Sequence, residues 1–177
     1  MFINPDFQKI TIKFLSLTIL MAIFACNRVE TGNKKNRTFP RNQHYTTWSN
    51  LCFDRAASIW LIRKHMDPEA TFSFQPFGSK ITNGTPFDVP GAELGRQKNI
   101  CCFESIIQKY KLTDPAVLKM SEVIHDIDVN KWGMKLHKDS DSLGTLFTEL
   151  RKKSTGDNDL LLKTQPIFEN MYNNYSR

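Results

Sequence analysis

A run of twelve uncharged and mostly apolar residues near the N-terminus, residues 14–25, constrains this chain more than any other feature. Lys9 and Lys13 precede the run, and the small residue Ala25 ends it. A helix that spans a bilayer needs about 20 apolar residues, so this run is too short to be one. It has the length of the apolar part of a secretory signal peptide. We therefore expect residues 1–25 to be a signal peptide and the folded domain to lie beyond them.

The residues at the end of this run indicate lipidation. Ile23-Phe24-Ala25-Cys26 resembles the lipobox of bacterial lipoproteins, which implies cleavage before Cys26 and attachment of lipid to its thiol. Several acyl chains anchor a protein more firmly than one. The prediction is an exported lipoprotein of the cell envelope, periplasmic or associated with the outer membrane, with membrane contact through the lipid. A plain secretory signal and an uncleaved anchor remain alternatives.

The segment after Cys26 is polar and carries most of the net charge. The whole chain has a formal charge of +6, but residues 27–45 contain five basic residues and one acidic residue. Residues 46–177 contain 17 basic and 16 acidic residues. A nucleic-acid-binding domain concentrates basic residues on its folded surface, so this distribution argues against a nucleic acid partner. We interpret residues 26–45 as the lipidated Cys with a flexible tether, and residues 46–177 as one domain.

Helical periodicity dominates residues 46–177. Asp54 stands where an N-cap would, ahead of a helix that Asp67-Pro68 ends. Further helices are expected at residues 103–110, from Pro115 past Ile127, at 141–153 and at 159–175. Pro115 follows the capping residue Asp114, whereas Pro166 should kink or interrupt the last helix.

Strand patterns are few. Thr71-Phe-Ser-Phe-Gln75 alternates with period two and predicts a strand, and Trp48–Phe53 fits an edge strand or a loop. Residues 76–100 contain three of the eight Pro and four of the eight Gly, which predicts a long loop with a turn at Asn83-Gly84. The fold class is therefore mainly α with minor β (α+β): a small compact helical domain with a short strand or hairpin and a long Pro/Gly-rich loop.

Three cysteines follow Cys26, namely Cys52, Cys101 and Cys102. They form no Cys-x-x-Cys zinc motif, and an odd number cannot be fully paired. A disulfide between Cys52 and one of the other two remains open.

Three blocks of sequence, in order, resemble the ChrB C-terminal domain family of chromate-resistance proteins. The first is the nineteen-residue stretch Cys52-Phe-Asp-Arg-Ala-Ala-Ser-Ile-Trp-Leu-Ile-Arg-Lys-His-Met-Asp-Pro-Glu-Ala70. The second is Phe87-Asp-Val-Pro-Gly-Ala-Glu93 with Cys101-Cys-Phe-Glu104, and the third is His125-Asp-Ile-Asp128. The resemblance covers about Trp48 to Tyr175.

The resemblance implies a role in chromate resistance. Full-length cytoplasmic members are described as chromate-responsive regulators with a separate DNA-binding part, and another group as exported chromate-resistance proteins. Because its N-terminus is interpreted as a signal and a tether, this chain resembles the exported group. We expect an accessory protein of chromate or oxyanion resistance in the envelope that binds a ligand or a metal. The alternatives are a metal-dependent hydrolase or redox enzyme of unknown substrate, and a module that docks a transporter.

Two kinds of binding site are predicted within these blocks. One imidazole with several carboxylates suits manganese, iron or zinc, with Glu93, Glu104, His125 and Asp128 as candidate ligands. Alternatively, His125 binds no ligand and only caps a helix C-terminus, where the helix dipole favours its positive charge. Where many members carry His after the position of Glu93, this chain has Arg96 and Gln97, which puts a His-based site in this loop in doubt.

The second kind of site would bind an oxyanion such as chromate. Guanidinium groups bind tetrahedral dianions well, so Arg55, Arg63 and Arg96 are the candidates. Asp54, Asp67, Asp88 and Asp126 are predicted supporting residues, although an Arg–Asp network that merely pins a helix to the loop explains several of them equally. A redox role for Cys101 and Cys102 is a weaker hypothesis, because buried cysteines are usually inert.

Overall fold

Five helices and a small parallel sheet make up the computed structural model, which describes residues 39–177. The helices are α1 (Phe53–His65), α2 (Cys102–Tyr110), α3 (Pro115–Asp128), α4 (Ser140–Lys152) and α5 (Asp157–Tyr175). The strands are β1 (His44–Trp48), β2 (Thr71–Gln75) and β3 (Thr85–Pro86). The α+β prediction is thereby confirmed. The predicted signal peptide, Cys26 and most of the tether lie outside the described residues.

The sheet has the order β2-β1-β3, and both pairings are parallel. α1 connects β1 to β2, because a parallel pair needs a long crossover. Tyr45 of the central strand is buried and stacks on Phe72 of β2, with ring centroids 5.3 Å apart. β1 starts at His44, so residues 44 and 45, which were assigned to the tether, form part of the sheet.

α1 lies at the centre of the molecule. Ten consecutive residues, 53–62, are buried, and the helix packs against α2, α3 and α5. A helix that is covered on all sides is normally apolar all round. α1 instead carries three buried polar residues, Asp54, Arg55 and Ser58. Their hydrogen bonds therefore have to be supplied by neighbouring elements.

The other helices close the core around α1. Phe53 contacts Phe147 of α4 and Phe168 of α5 in edge-to-face geometry, with centroids 5.5 and 5.3 Å away. Asp114 caps α3, as predicted, by accepting a hydrogen bond from the Ala116 N–H at 2.9 Å. Among the described residues, no helix is both long and apolar enough to cross a membrane.

Pro166 was predicted to kink or interrupt the last helix, and it does not interrupt it. α5 is continuous from Asp157 to Tyr175. Pro166 and Leu162, one turn earlier, are both exposed. The Leu162 carbonyl, which loses its helical partner because proline has no N–H, therefore belongs to the solvent side of the helix, where water can satisfy it.

Candidate functional site

Asp54 joins two helices rather than capping its own. α1 starts at Phe53, so Asp54 lies in its first turn, and the predicted N-cap role at α1 is wrong. Its fully buried carboxylate accepts the N–H groups of Cys102 and Phe103, at 2.8 and 2.9 Å. These are the first two residues of α2, where amides lack helical partners. A side chain of α1 therefore caps α2.

Arg55 connects three segments. Its Nε donates to Asp88 Oδ2 at 2.8 Å, and its two terminal nitrogens donate to the carbonyls of Trp48 and Asp88. Asp88 has a φ of 46°, a left-handed conformation that aspartate tolerates better than most residues. Burial, together with the Asp54 carboxylate, raises the pKa of Asp88 to about 6, against the opposing effects of Arg55 and Arg96. Arg55 thus fixes the end of β1 to the long loop, and three of its five N–H donors are already engaged.

Arg63 and Asp67 serve the opposite end of α1. The Asp67 carboxylate accepts the N–H groups of Asn42 and Gln43, at 3.0 and 2.8 Å, and so holds the chain where it enters β1. Arg63 donates to the Ala70 carbonyl at 3.3 Å and lies over the Phe72 ring, 5.0 Å from its centroid. The structure does not join Arg63 to Arg55 and Arg96 in one site.

Glu104 and His125 form a side-chain pair between α2 and α3. Glu104 Oε2 lies 2.9 Å from His125 Nδ1 and also accepts the Cys101 N–H at 2.8 Å. The His125 side chain is 35% exposed. A carboxylate on Nδ1 orients an imidazole and leaves Nε2 to meet a ligand, an arrangement common in metal and acid–base sites. Of the four predicted metal ligands, these two meet.

The other two predicted ligands pair with cations. The buried Asp128 carboxylate contacts the guanidinium of Arg96, which is 44% exposed. Glu93 pairs with Lys109 of α2. Within residues 39–177, no cluster of three or more His, Cys, Asp or Glu side chains is placed to hold a metal ion. The metal site therefore stays a prediction, and Glu104 and His125 are the pair of its four predicted ligands that contact each other.

Asp126 organises the loop that follows α3. It accepts the N–H groups of Leu136 and His137, at 2.9 and 3.1 Å, and the side-chain amide of Asn130 at 2.8 Å. Burial opposes the charge on Asp126, but these hydrogen bonds outweigh it and lower its pKa to about 2. The Asp126 carboxylate therefore stabilises this loop rather than a ligand site.

The three cysteines of the described residues are free thiols. Burial raises the pKa of Cys52 to about 11, and it raises the pKa of Cys101 and Cys102 as well. The thiolate is the reactive form, so all three are largely unreactive at neutral pH. The disulfide left open by the sequence is not formed.

An open groove of about 710 Å³ lies between α4, the start of α1 and the end of α3. Phe53, Ile127 and Phe147 form its apolar part. The charged lining consists of four cations and three acids: Lys131, Lys135, Arg151, Lys152, Asp128, Asp141 and Glu149. We call it the α4 groove. Sequence reasoning missed all of its charged residues except Asp128, although the lysines around Trp132 and the run Arg151-Lys152-Lys153 were visible.

Arg96 adjoins this groove through Asp128. Arg151 donates to the Leu51 carbonyl and lies over the Phe147 ring, 5.3 Å from its centroid. Lys135 donates to the carbonyls of Asp126 and Asn130, both at 2.7 Å. The groove lining therefore combines four cations with three acids, and backbone contacts hold Arg151 and Lys135 in place.

The family model described as "ChrB, C-terminal domain" matches residues 45–175. The chain belongs to the ChrB C-terminal domain family. "Protein ChrB" of Cupriavidus metallidurans (strain ATCC 43123 / DSM 2839 / NBRC 102507 / CH34) is 23% identical over 145 residues, which are 81% of this chain and 44% of that protein. The chain thus spans less than half the length of this relative. No solved structure matches the chain.

The three sequence blocks that resemble the ChrB family meet in the structure. Asp54 of the first block binds the amide of Cys102 in the second, and Arg55 binds Asp88. Glu104 of the second block pairs with His125 of the third. Contacts between side chains, and between side chains and amides, therefore connect the three blocks of this ChrB-family domain near the starts of α1 and α2.

Proposed function

We propose that this chain is an accessory protein of chromate resistance that binds chromate or a related oxyanion. The observation that carries the proposal is the match to the ChrB C-terminal domain over residues 45–175, nearly all of the described structure. The regulatory role described for full-length members is not part of the proposal.

Among the three predicted arginines, Arg96 supports oxyanion binding best. Arg55 is buried and each of its three nitrogens already donates one hydrogen bond, while Arg63 lies at the far end of α1. Arg96 is the half-exposed one, and it adjoins the α4 groove through Asp128. A dianion is best held by several cations that are already positioned, so Arg96 and Arg151 are the residues we assign to it.

Calorimetric titration with chromate, and with sulfate as an isosteric dianion, tests this assignment. We expect heat of binding for the full chain and a loss of roughly tenfold in affinity, about 1.4 kcal/mol, for Arg96→Gln or Arg151→Gln. Lys163→Gln on α5 is the matched control, since Lys163 pairs with Asp159 and is absent from the groove lining. The absence of heat with both anions would reject oxyanion binding.

A cellular experiment tests the resistance role separately. The full chain, expressed in a chromate-sensitive bacterium, should raise the chromate concentration that halves growth. The Arg96→Gln variant at equal abundance should raise it less. Equal tolerance with the full chain and an empty vector would contradict a role in resistance.

The envelope location rests on the sequence around Cys26 and is part of the proposal. Cys26→Ala should leave an unlipidated precursor of higher mass, because the modified thiol is needed before cleavage. Mass spectrometry of the membrane and soluble fractions measures this. If the variant still partitions with membranes at the mature size, the anchor lies elsewhere.

The Glu104–His125 pair favours a second candidate, a metal-dependent enzyme. A carboxylate-oriented imidazole can serve as a metal ligand or a proton carrier. Elemental analysis of the purified full chain should then show manganese, iron or zinc, and His125→Ala should weaken binding of that metal. A metal-free protein whose metal affinity is unchanged by His125→Ala would remove this candidate.

A further inference from the structure

The loop between α3 and α4, residues 129–139, displays three large apolar side chains to solvent. Trp132 is 97% exposed, Met134 86% and Leu136 76%. Single exposed apolar residues are ordinary, but three within five residues form a patch that usually marks a contact surface. We call this segment the Trp132 loop.

The Trp132 loop is held in its conformation from within. Asn130 donates to the Asp126 carboxylate and also to the Met134 carbonyl, at 2.8 and 2.9 Å. Lys135 Nζ bonds the carbonyls of Asp126 and Asn130, and Asp126 accepts the amide of Leu136. The loop backbone is thus tied to the end of α3 while its apolar side chains stay in water, at a cost of about 25 cal/mol for each Å² left exposed.

The charge around these side chains selects one kind of partner. Residues 129–138 contain three lysines and no acidic residue. Of the acids nearby, Asp126 and Asp128 are buried, Asp139 faces the Tyr175 hydroxyl, and the exposed Asp141 lies in the first turn of α4, outside the loop. Tryptophan prefers the boundary between lipid headgroups and acyl chains, and lysines attract anionic headgroups. An apolar patch bordered by lysines matches an anionic bilayer surface.

We propose that the Trp132 loop inserts into the interface of an anionic phospholipid bilayer, with Trp132 and Met134 at acyl-chain depth and Lys131 and Lys138 at the headgroups. This inference goes beyond the proposed function and requires neither chromate binding nor lipid on Cys26. It would orient the domain on the membrane.

Depth-dependent fluorescence quenching tests the proposal. The full chain is mixed with vesicles of phosphatidylcholine and phosphatidylglycerol whose acyl chains are brominated, and with pure phosphatidylcholine vesicles of the same kind. We expect quenching of tryptophan emission with the anionic vesicles. Trp132→Phe should abolish the quenched component, because Trp60 is buried in the core and Trp48 is partly buried.

Two further variants assign the effect. Lys131→Gln with Lys138→Gln should reduce the ratio of inserted to free loop roughly 10- to 30-fold, since each lysine near an anionic surface contributes about 1 kcal/mol. Leu162→Ser, which removes a 70% exposed side chain from α5, is the control and should leave the quenching unchanged.

Two outcomes would overturn the proposal. One is Trp132 emission that brominated lipids do not quench even though the chain is bound to the vesicles. The other is Trp132 protected from an aqueous quencher in the absence of vesicles, which would show that another copy or segment of this chain covers the loop. Neither readout depends on chromate, so failure here leaves the proposed function to its own tests.

Discussion

At the scale of single residues, the recurring polar interaction of this domain is an aspartate that accepts hydrogen bonds from backbone amides. Asp54, Asp67, Asp126 and Asp157 each accept two amide N–H groups from a segment at least ten residues away along the chain. A hydrogen bond from an amide to a charged acceptor is stronger than one to a neutral acceptor. Removal of the acceptor leaves buried donors without a partner. The first role of these aspartates is therefore to stabilise the fold.

Asp54→Asn is expected to be strongly destabilising. The substituted amide has one acceptor oxygen and turns its NH₂ group towards donors, so at least one α2 amide loses its partner. The expected cost is about 2 kcal/mol in the free energy of unfolding. Urea denaturation followed by far-UV circular dichroism measures it.

Asp141→Asn on α4 serves as the comparison, because Asp141 is exposed. It should change the free energy of unfolding by less than about 0.5 kcal/mol. Equal stability of the Asp54 variant and the natural chain would contradict the capping role.

At the scale of elements, α5 shows how a helix accommodates a proline. Apolar residues on its inner face, among them Phe168 and Met171, are buried against the core, and this packing outweighs the lost hydrogen bond on the outer face. The sequence signal for interruption was therefore overruled by tertiary contacts that a local pattern does not contain.

Pro166→Ala should stabilise the protein. Alanine restores the N–H that can bond the Leu162 carbonyl and removes the ring from that turn, while the unfolded chain gains some freedom. The net gain is expected to be about 2 kcal/mol, visible as a higher Tm. Calorimetry measures it, with Leu162→Ala in the same turn as a control that restores no backbone bond. A Tm lowered by Pro166→Ala would contradict this account.

At the scale of the whole molecule, stability should depend on pH through Asp126. Its pKa is about 2 in the folded protein, below the ordinary value of 3.8. A carboxyl whose pKa is lowered by folding stabilises the native state above its ordinary pKa, and this contribution is lost as the pH falls from about 4 to 2. Acid should therefore loosen the Trp132 loop along with the fold.

Asp126→Asn should reduce stability at neutral pH and have little effect at pH 2. The decrease of Tm between pH 4 and pH 2 should accordingly be shallower in the variant than in the natural chain. A Tm series over this range measures it. Parallel curves for the two proteins would assign the acid sensitivity to other carboxylates.

Local signals predicted the helices well and the contacts between them poorly. The strand at Thr71–Gln75 and the cap at Asp114 each have a local sequence pattern, and both predictions are confirmed. β1 escaped notice because it lies next to a polar segment, and its partners are β2 and β3, which follow it by more than twenty residues. The bounds of the last helix, expected at residues 159–175, were close to the observed Asp157–Tyr175.

The candidate site could be predicted only in part, because its contacts join elements that are far apart in the sequence. Glu104 and His125, two of the predicted metal ligands, contact each other, whereas the other two, Glu93 and Asp128, contact Lys109 and Arg96. Which cation neutralises a carboxylate depends on the path of the long loop, and no local pattern encodes that path. The α4 groove depends on the packing of α4 against the start of α1, which is equally non-local.

The contact between Asp157 and the amides of Asn50 and Leu51 has a consequence for synthesis of the chain. It joins positions 107 and 106 residues apart, from the entrance of α1 to the first turn of α5. A ribosome has to translate almost the whole domain before this bond can form, and contacts of such separation form slowly. The nascent chain therefore cannot reach its native state until the start of α5 has been made, which prolongs the period in which chaperones can engage it.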